Sequence, residues 1–113
     1  MRLKTGIWVR GLVRRVFSAG GFAAIERHGA EEGGAVLVRT RDRGGLESVF
    51  TPAPQSFFET EQPEERRFEQ RLAEAGREEC DRLIARETNF DPDAWVIELE
   101  VDDPASYLVI TPA

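Results

Sequence analysis

The sequence predicts an α+β fold: an N-terminal amphipathic helix packed on a mostly antiparallel sheet, a meander, with a second helix before the C-terminal strand. Three observations carry this. Between Thr5 and Ala19, apolar residues fall at Trp8, Val9, Leu12, Val13, Val16 and Phe17, the spacing of a single helical face. From Trp95 to Val101 the period shortens to two: Trp95, Ile97, Leu99 and Val101 share one side of a strand, and Val96, Glu98 and Glu100 the other. Between these segments lie short β-branched runs punctuated by glycine and proline.

In the first helix Arg10, Arg14 and Arg15 take the polar side. Thr5 is the expected N-cap and Gly20-Gly21 the stop, since glycine accepts the left-handed backbone that ends helices. Phe22 to Arg27 reads as a short strand, and His28 to Gly34 as a polar, glycine-rich turn. Ala35 to Arg41 is a second strand. Asp42-Arg43-Gly44-Gly45 is a hairpin connection, and Leu46 to Thr51 the returning strand, ended by Pro52 and Pro54. These three strands are expected to run as neighbours.

Residues 55–64 form a polar, proline-containing connection. Arg66 to Leu72 suits a helix by composition, but Phe68 and Leu72 also fit alternate positions of a strand. Gly76 costs about 1 kcal/mol in a helix interior, which disfavours one continuous helix from Pro63 to Thr88. Arg77 to Thr88 is a clearer helix, with Cys80, Leu83 and Ile84 inside and Glu78, Asp81, Arg82 and Arg86 outside. It should end near Asn89, because Pro92 disfavours helical geometry at Asp91. After the Trp95 strand, Asp102-Asp103-Pro104 turns the chain, and Tyr107 to Ile110 is a short edge strand.

The 113 residues suit a single domain spanning 1–113. With 41% apolar and 32% charged residues, the composition is globular rather than disordered. Cys80 is the single cysteine, so no internal disulfide forms; with His28 the single histidine, a Cys/His zinc site is excluded. No stretch approaches the ~20 apolar residues of a membrane span. The first 25 residues are arginine-rich and free of acids, as a transit peptide would be, but the fold needs their apolar face. A cytoplasmic protein is expected, with no membrane association.

Net charge is −6 and unevenly spread: residues 1–50 carry nine Lys/Arg against five Asp/Glu, and residues 51–113 six against sixteen. Either the halves neutralise each other on packing, or the asymmetry steers a partner.

At this point the residues resemble a known family. Gly6-Ile7-Trp8-Val9 leads into Leu12-Val13-Arg14-Arg15, and Gly20-Gly21-Phe22-Ala23-Ala24 is followed by Gly34-Ala35-Val36-Leu37-Val38. Most specific are Ile84-Ala85-Arg86, Phe90-Asp91-Pro92-Asp93 and Trp95-Val96-Ile97-Glu98. Together they resemble the small bacterial proteins catalogued as domain of unknown function DUF1491. The similarity runs through most of the chain and is weakest over residues 55–76. It implies a cytoplasmic bacterial protein, tips Arg66 to Leu72 toward strand, and brings no assigned activity.

For chemistry, the acidic segment is the densest candidate: Asp91, Asp93, Glu98, Glu100 and Asp102 lie within twelve residues. Clustered carboxylates hold divalent cations or share acid–base work, but alternating glutamates are also what a solvated sheet face looks like. Asp91 is expected to accept hydrogen bonds from turn amides. Arg39, Thr40, Arg41 and Arg43, with the helix arginines, make the one basic patch candidate, and without a nucleic-acid motif they read as a solvated face. No phosphate-binding glycine loop occurs, and no cofactor or nucleic acid is expected. His28 and Cys80 read as a turn residue and an inner helical residue.

The preferred reading is therefore a binding or adaptor module rather than an enzyme, directed to a protein partner or forming a homodimer through the chain end at Tyr107 to Ile110. The alternative is a divalent-metal-dependent hydrolase or phosphodiester-processing enzyme, with Asp91, Asp93 and Glu98 on the metal and Arg86 on the substrate anion.

Overall fold

The structure, a computed structural model, describes residues 3–54 and 66–112. The polar connection expected at 55–64 lies outside the described residues. The elements run α1 (Thr5–Ser18), β1 (Phe22–Arg27), β2 (Val36–Arg41), β3 (Glu47–Pro52), β4 (Arg67–Ala75), α2 (Arg77–Phe90), β5 (Trp95–Glu100) and β6 (Val109–Ile110).

The strands form one sheet in the order β1-β5-β2-β3-β4-β6. β1–β5, β2–β3 and β3–β4 pair antiparallel, while β2–β5 and β4–β6 pair parallel. The sheet is thus mixed, and the expected meander is broken at one place: β5 lies between β1 and β2. Burial explains the insertion. Trp95, Val96 and Ile97 are each at most 1% exposed, so β5 is apolar on both faces and needs neighbours on both edges. β2 answers in kind, with Val36, Leu37 and Val38 equally buried.

One helix covers each face. Val9, Leu12 and Val16 of α1 pack with Val36, Val38, Phe50, Phe68, Trp95, Ile97, Leu99 and Leu108. Cys80, Leu83 and Ile84 of α2 pack with Leu37, Val49, Ala94 and Val96 on the opposite face. Each large side chain so buried contributes about 1.5–3 kcal/mol.

Element ends follow local chemistry. α1 begins one residue earlier than expected: Lys4 holds the cap position, and Thr5 is the first helical residue, buried, its hydroxyl accepting from Arg66. Gly20, at φ +90°, ends the helix as the glycine pair predicts. In the β2–β3 connection Asp42 accepts through Oδ1 from the amides of Gly44 and Leu46. The ambiguous segment is strand, β4, and Gly76 caps α2 rather than interrupting a longer helix.

Residues 28–35 are docked against the start of β5. The Ala30 amide donates to the Asp93 carbonyl, and the Trp95 indole N–H donates to the Ala30 carbonyl. The backbones of this loop and of Asp93 approach so closely that a Cβ on Gly29 or Gly34 would overlap the Asp93 carbonyl.

Candidate functional site

The sequence-predicted residues separate in the structure. Asp91, at the end of α2, accepts from the Ala35 amide at 3.0 Å and the Asp93 amide at 3.0 Å. Asp93 is exposed in the turn before β5, and Arg86 is exposed on α2. Glu98 is half-buried on the α2 face of β5, 3.3 Å from Arg41. Asp93 stands in the turn before β5 and Glu98 well inside that strand. Among the described residues, no group of three Asp, Glu, His or Cys side chains is placed to hold a metal ion.

What the α2 face does hold is an ion cluster. Arg39 projects from β2 and Glu47 from β3, both 2% exposed. Arg39 donates to Glu47 at 2.7 and 3.1 Å, and also meets Glu26 at 3.1 Å and Asp81 of α2 at 2.7 Å. Arg77 of α2 donates to the second oxygen of Glu47 at 2.9 Å. Burial penalises the Arg39 cation, but bonds to Glu47 and Asp81 outweigh it and raise its pKa. Burial likewise works against the Glu47 anion, yet Arg39 and Arg77 prevail and hold its carboxyl below the ordinary range. The Arg39–Arg43 stretch is therefore not a solvated basic face: Arg39 is buried, Arg41 bridges Glu47 and Glu98, and Arg43 reaches Asp102. No buried side-chain nitrogen or oxygen among the described residues lacks a partner, so Arg39 and Glu47 are satisfied within the cluster. Its work is to fasten α2 to the sheet.

Cys80 lies beside the cluster, fully buried, and burial raises its thiol pKa, which keeps it protonated and unreactive. His28 faces Glu31 at 3.0 Å, stacks near Trp95, and serves the docked loop.

The open chemistry lies on the other side of the molecule, on the outward face of α1. A groove of about 910 Å³ runs there, lined by Leu3, Ile7, Trp8, Gly11, Arg14 and Arg15 among others. Leu3 and Ile7 are 51% and 52% exposed. Arg10, on the rim, is held by Glu31 at 2.6 and 3.0 Å, which lowers the pKa of that carboxyl. Arg15 donates to the Tyr107 carbonyl at 3.1 Å. Arg14 has no ion-pair partner among the described residues. Among the described residues no carboxylate lines the groove, on a chain whose net charge is −6. The helix periodicity placed the arginines outward, but Ile7 lay outside the apolar face read from the sequence. The signal for it was one apolar residue in phase with the arginines.

A second cleft, of about 550 Å³, opens beside the β2–β3 turn. Its charged groups are already engaged: Arg43 with Asp102, Asp42 with the turn amides, and Asp103 with the Ala105 amide and Ser106 hydroxyl.

Together these features define a small α+β protein whose described residues form a six-stranded mixed sheet between two helices. The chain belongs to the family described as "Protein of unknown function (DUF1491)", which matches residues 3–109. It is similar to a protein from A. tumefaciens whose structure was solved in solution, at 50% identity and a TM-score of 0.87, covering 100% of this chain and 98% of that one. A crystal structure of a DUF1491 family protein from Caulobacter crescentus matches at 32% identity and a TM-score of 0.79, covering 99% and 100% of the two chains. An NMR structure of a DUF1491 family protein from the same organism matches at 34% and 0.78, covering 99% of each. No curated protein matches the chain.

Proposed function

We propose that this protein is a binding module of the bacterial cytoplasm that acts on a protein partner through the outward face of α1. The observation that carries the reading is one groove combining exposed Leu3 and Ile7 with Arg14, which has no ion-pair partner among the described residues. An apolar patch rimmed by charge is the usual form of a recognition surface. The buried cluster of Arg39 and Glu47 supports the same reading from the other side, since its charges are spent on the fold. The single cysteine is buried, as suits a reducing compartment. No helix among the described residues is long and apolar enough to cross a membrane.

The test is capture from bacterial lysate at low and moderate salt, comparing the wild type with Ile7→Asp/Arg14→Glu. Both substituted side chains are exposed, so the variant keeps its core. A protein retained by the wild type and lost by the variant, more weakly held as salt rises, is the expected result. Capture that ignores the two substitutions overturns the reading.

A further inference from the structure

We infer that the groove on α1 takes an acidic amphipathic helix of a partner protein, an inference that rests on the binding reading above and names its ligand class. The groove follows the helix axis. Within α1, Ile7, Gly11, Arg14 and Ser18 follow one another at steps of four, three and four, and Leu3 lies just before the helix at the same end as Ile7. Such a row is a ridge of the kind that seats in the groove between two rows of a second helix. The 14 residues of α1 span roughly 21 Å at 1.5 Å per residue, about four turns.

Depth comes from Gly11. A Cβ built there would meet nothing within 4 Å, so the helix surface dips at mid-groove and an opposing side chain or backbone can come close. The apolar contacts lie at the N-terminal end of the groove, on Leu3, Ile7 and the half-buried Trp8. Of the lining arginines, Arg10 is paired with Glu31, while Arg14 and Arg15 lie toward the C-terminal end, Arg15 donating to the Tyr107 carbonyl. The matching helix presents leucine-like residues every three or four positions, followed by glutamates or aspartates. Charge complementarity selects the acid: among the described residues, arginine is the only charged residue type lining the groove.

Trp8 makes the groove self-reporting, because it lies in the lining whereas Trp95 is fully buried. The probe is a designed 18-residue helical peptide with leucines on one face and glutamates beside them. A twin peptide with lysine at each glutamate, and vesicles of anionic phospholipid, are the comparison probes. Titrations read Trp8 fluorescence and amide shifts. Expected is saturable binding of the glutamate peptide, with shifts confined to residues 3–19. Affinity should fall at least tenfold for Ile7→Asp/Arg14→Glu and at least tenfold for the lysine twin.

Equal affinity for the two peptides, or shifts elsewhere, overturns the inference. So does vesicle binding without peptide binding, or sedimentation showing that a second copy fills the groove. If the peptide fails while lysate capture still depends on Ile7 and Arg14, the helix assignment falls alone; if both fail, the binding reading falls with it.

Discussion

Arg39 and Glu47 form a buried ion pair, each 2% exposed, held together by the register of the hairpin that carries them. An arginine at the end of Val36-Leu37-Val38 reads as the polar margin of a strand. What the strand pattern omits is the hairpin register: Arg39 opposes Val49 and Arg41 opposes Glu47, so Arg39 and Glu47 meet on a diagonal of one face. Burying such a pair is costly for both ions, and it survives because every donor is met. Glu47→Ala leaves the Arg39 charge buried beside weaker partners and should lower unfolding free energy by about 3–5 kcal/mol. Replacing both, as Arg39→Met/Glu47→Leu, should be neutral or stabilising by about 1–4 kcal/mol at neutral pH. The pH dependence follows from the lowered Glu47 pKa. Its stabilisation is complete above the unfolded carboxylate range and disappears as pH falls through the lower folded value. Acid denaturant melts should therefore show the wild type losing more stability below about pH 4 than the double variant does. A double variant as weak as Glu47→Ala, or with an unchanged acid limb, contradicts this account.

Among the elements, those with strong local periodicity were legible, and those set by long-range pairing were not. α1 and β5 carry periods of 3.6 and 2 in their own residues, and α2 has a proline beyond it. The position of β5 between β1 and β2 is different, because it depends on which edges of two distant segments find each other. Its one trace in the sequence was Val96, an apolar residue on the side that otherwise carries Glu98 and Glu100. β6 shows the same limit: an edge strand was legible, but its parallel pairing with Arg67 and Phe68 was not. The loop of residues 28–35 makes the β5 insertion possible by carrying the chain across to β2 while fastened to Asp93. Gly34, at φ +85°, takes a conformation unfavourable to other residues and has no room for a side chain. Gly34→Ala should cost about 2 kcal/mol or more, the left-handed penalty plus the displacement of Asp93. Gly33→Ala meets nothing within 4 Å and is the control. Thermal melts of the pair test the loop directly, and equal midpoints would show that the clamp is not tight.

At the scale of the molecule, the sheet has an oily side that α1 covers, with Leu108 packed beside it. Val36, Val38, Phe50, Phe68, Trp95, Ile97 and Leu99 would all face water without it, and α2, on the opposite face, cannot substitute. A domain's net stability is about 5–15 kcal/mol, and losing the burial of even four such side chains, at about 1.5–3 kcal/mol each, consumes most or all of it. A chain starting at Gly21 should therefore show no cooperative melt. Leu12→Ala, which opens a cavity under the intact helix, should cost about 2–5 kcal/mol while leaving the transition cooperative. Trp95 reports both outcomes, since its fully buried indole shifts its emission only when this layer opens. The same arrangement explains how α1 serves two ends: its inner residues close the core, while Ile7 and Arg14 contribute nothing to it. Ile7→Asp/Arg14→Glu should accordingly melt within about 0.5 kcal/mol of the wild type, as exposed substitutions do. A truncated chain that still melts cooperatively, or a groove variant that destabilises like Leu12→Ala, would mean that the inner and outer faces of α1 have been wrongly divided.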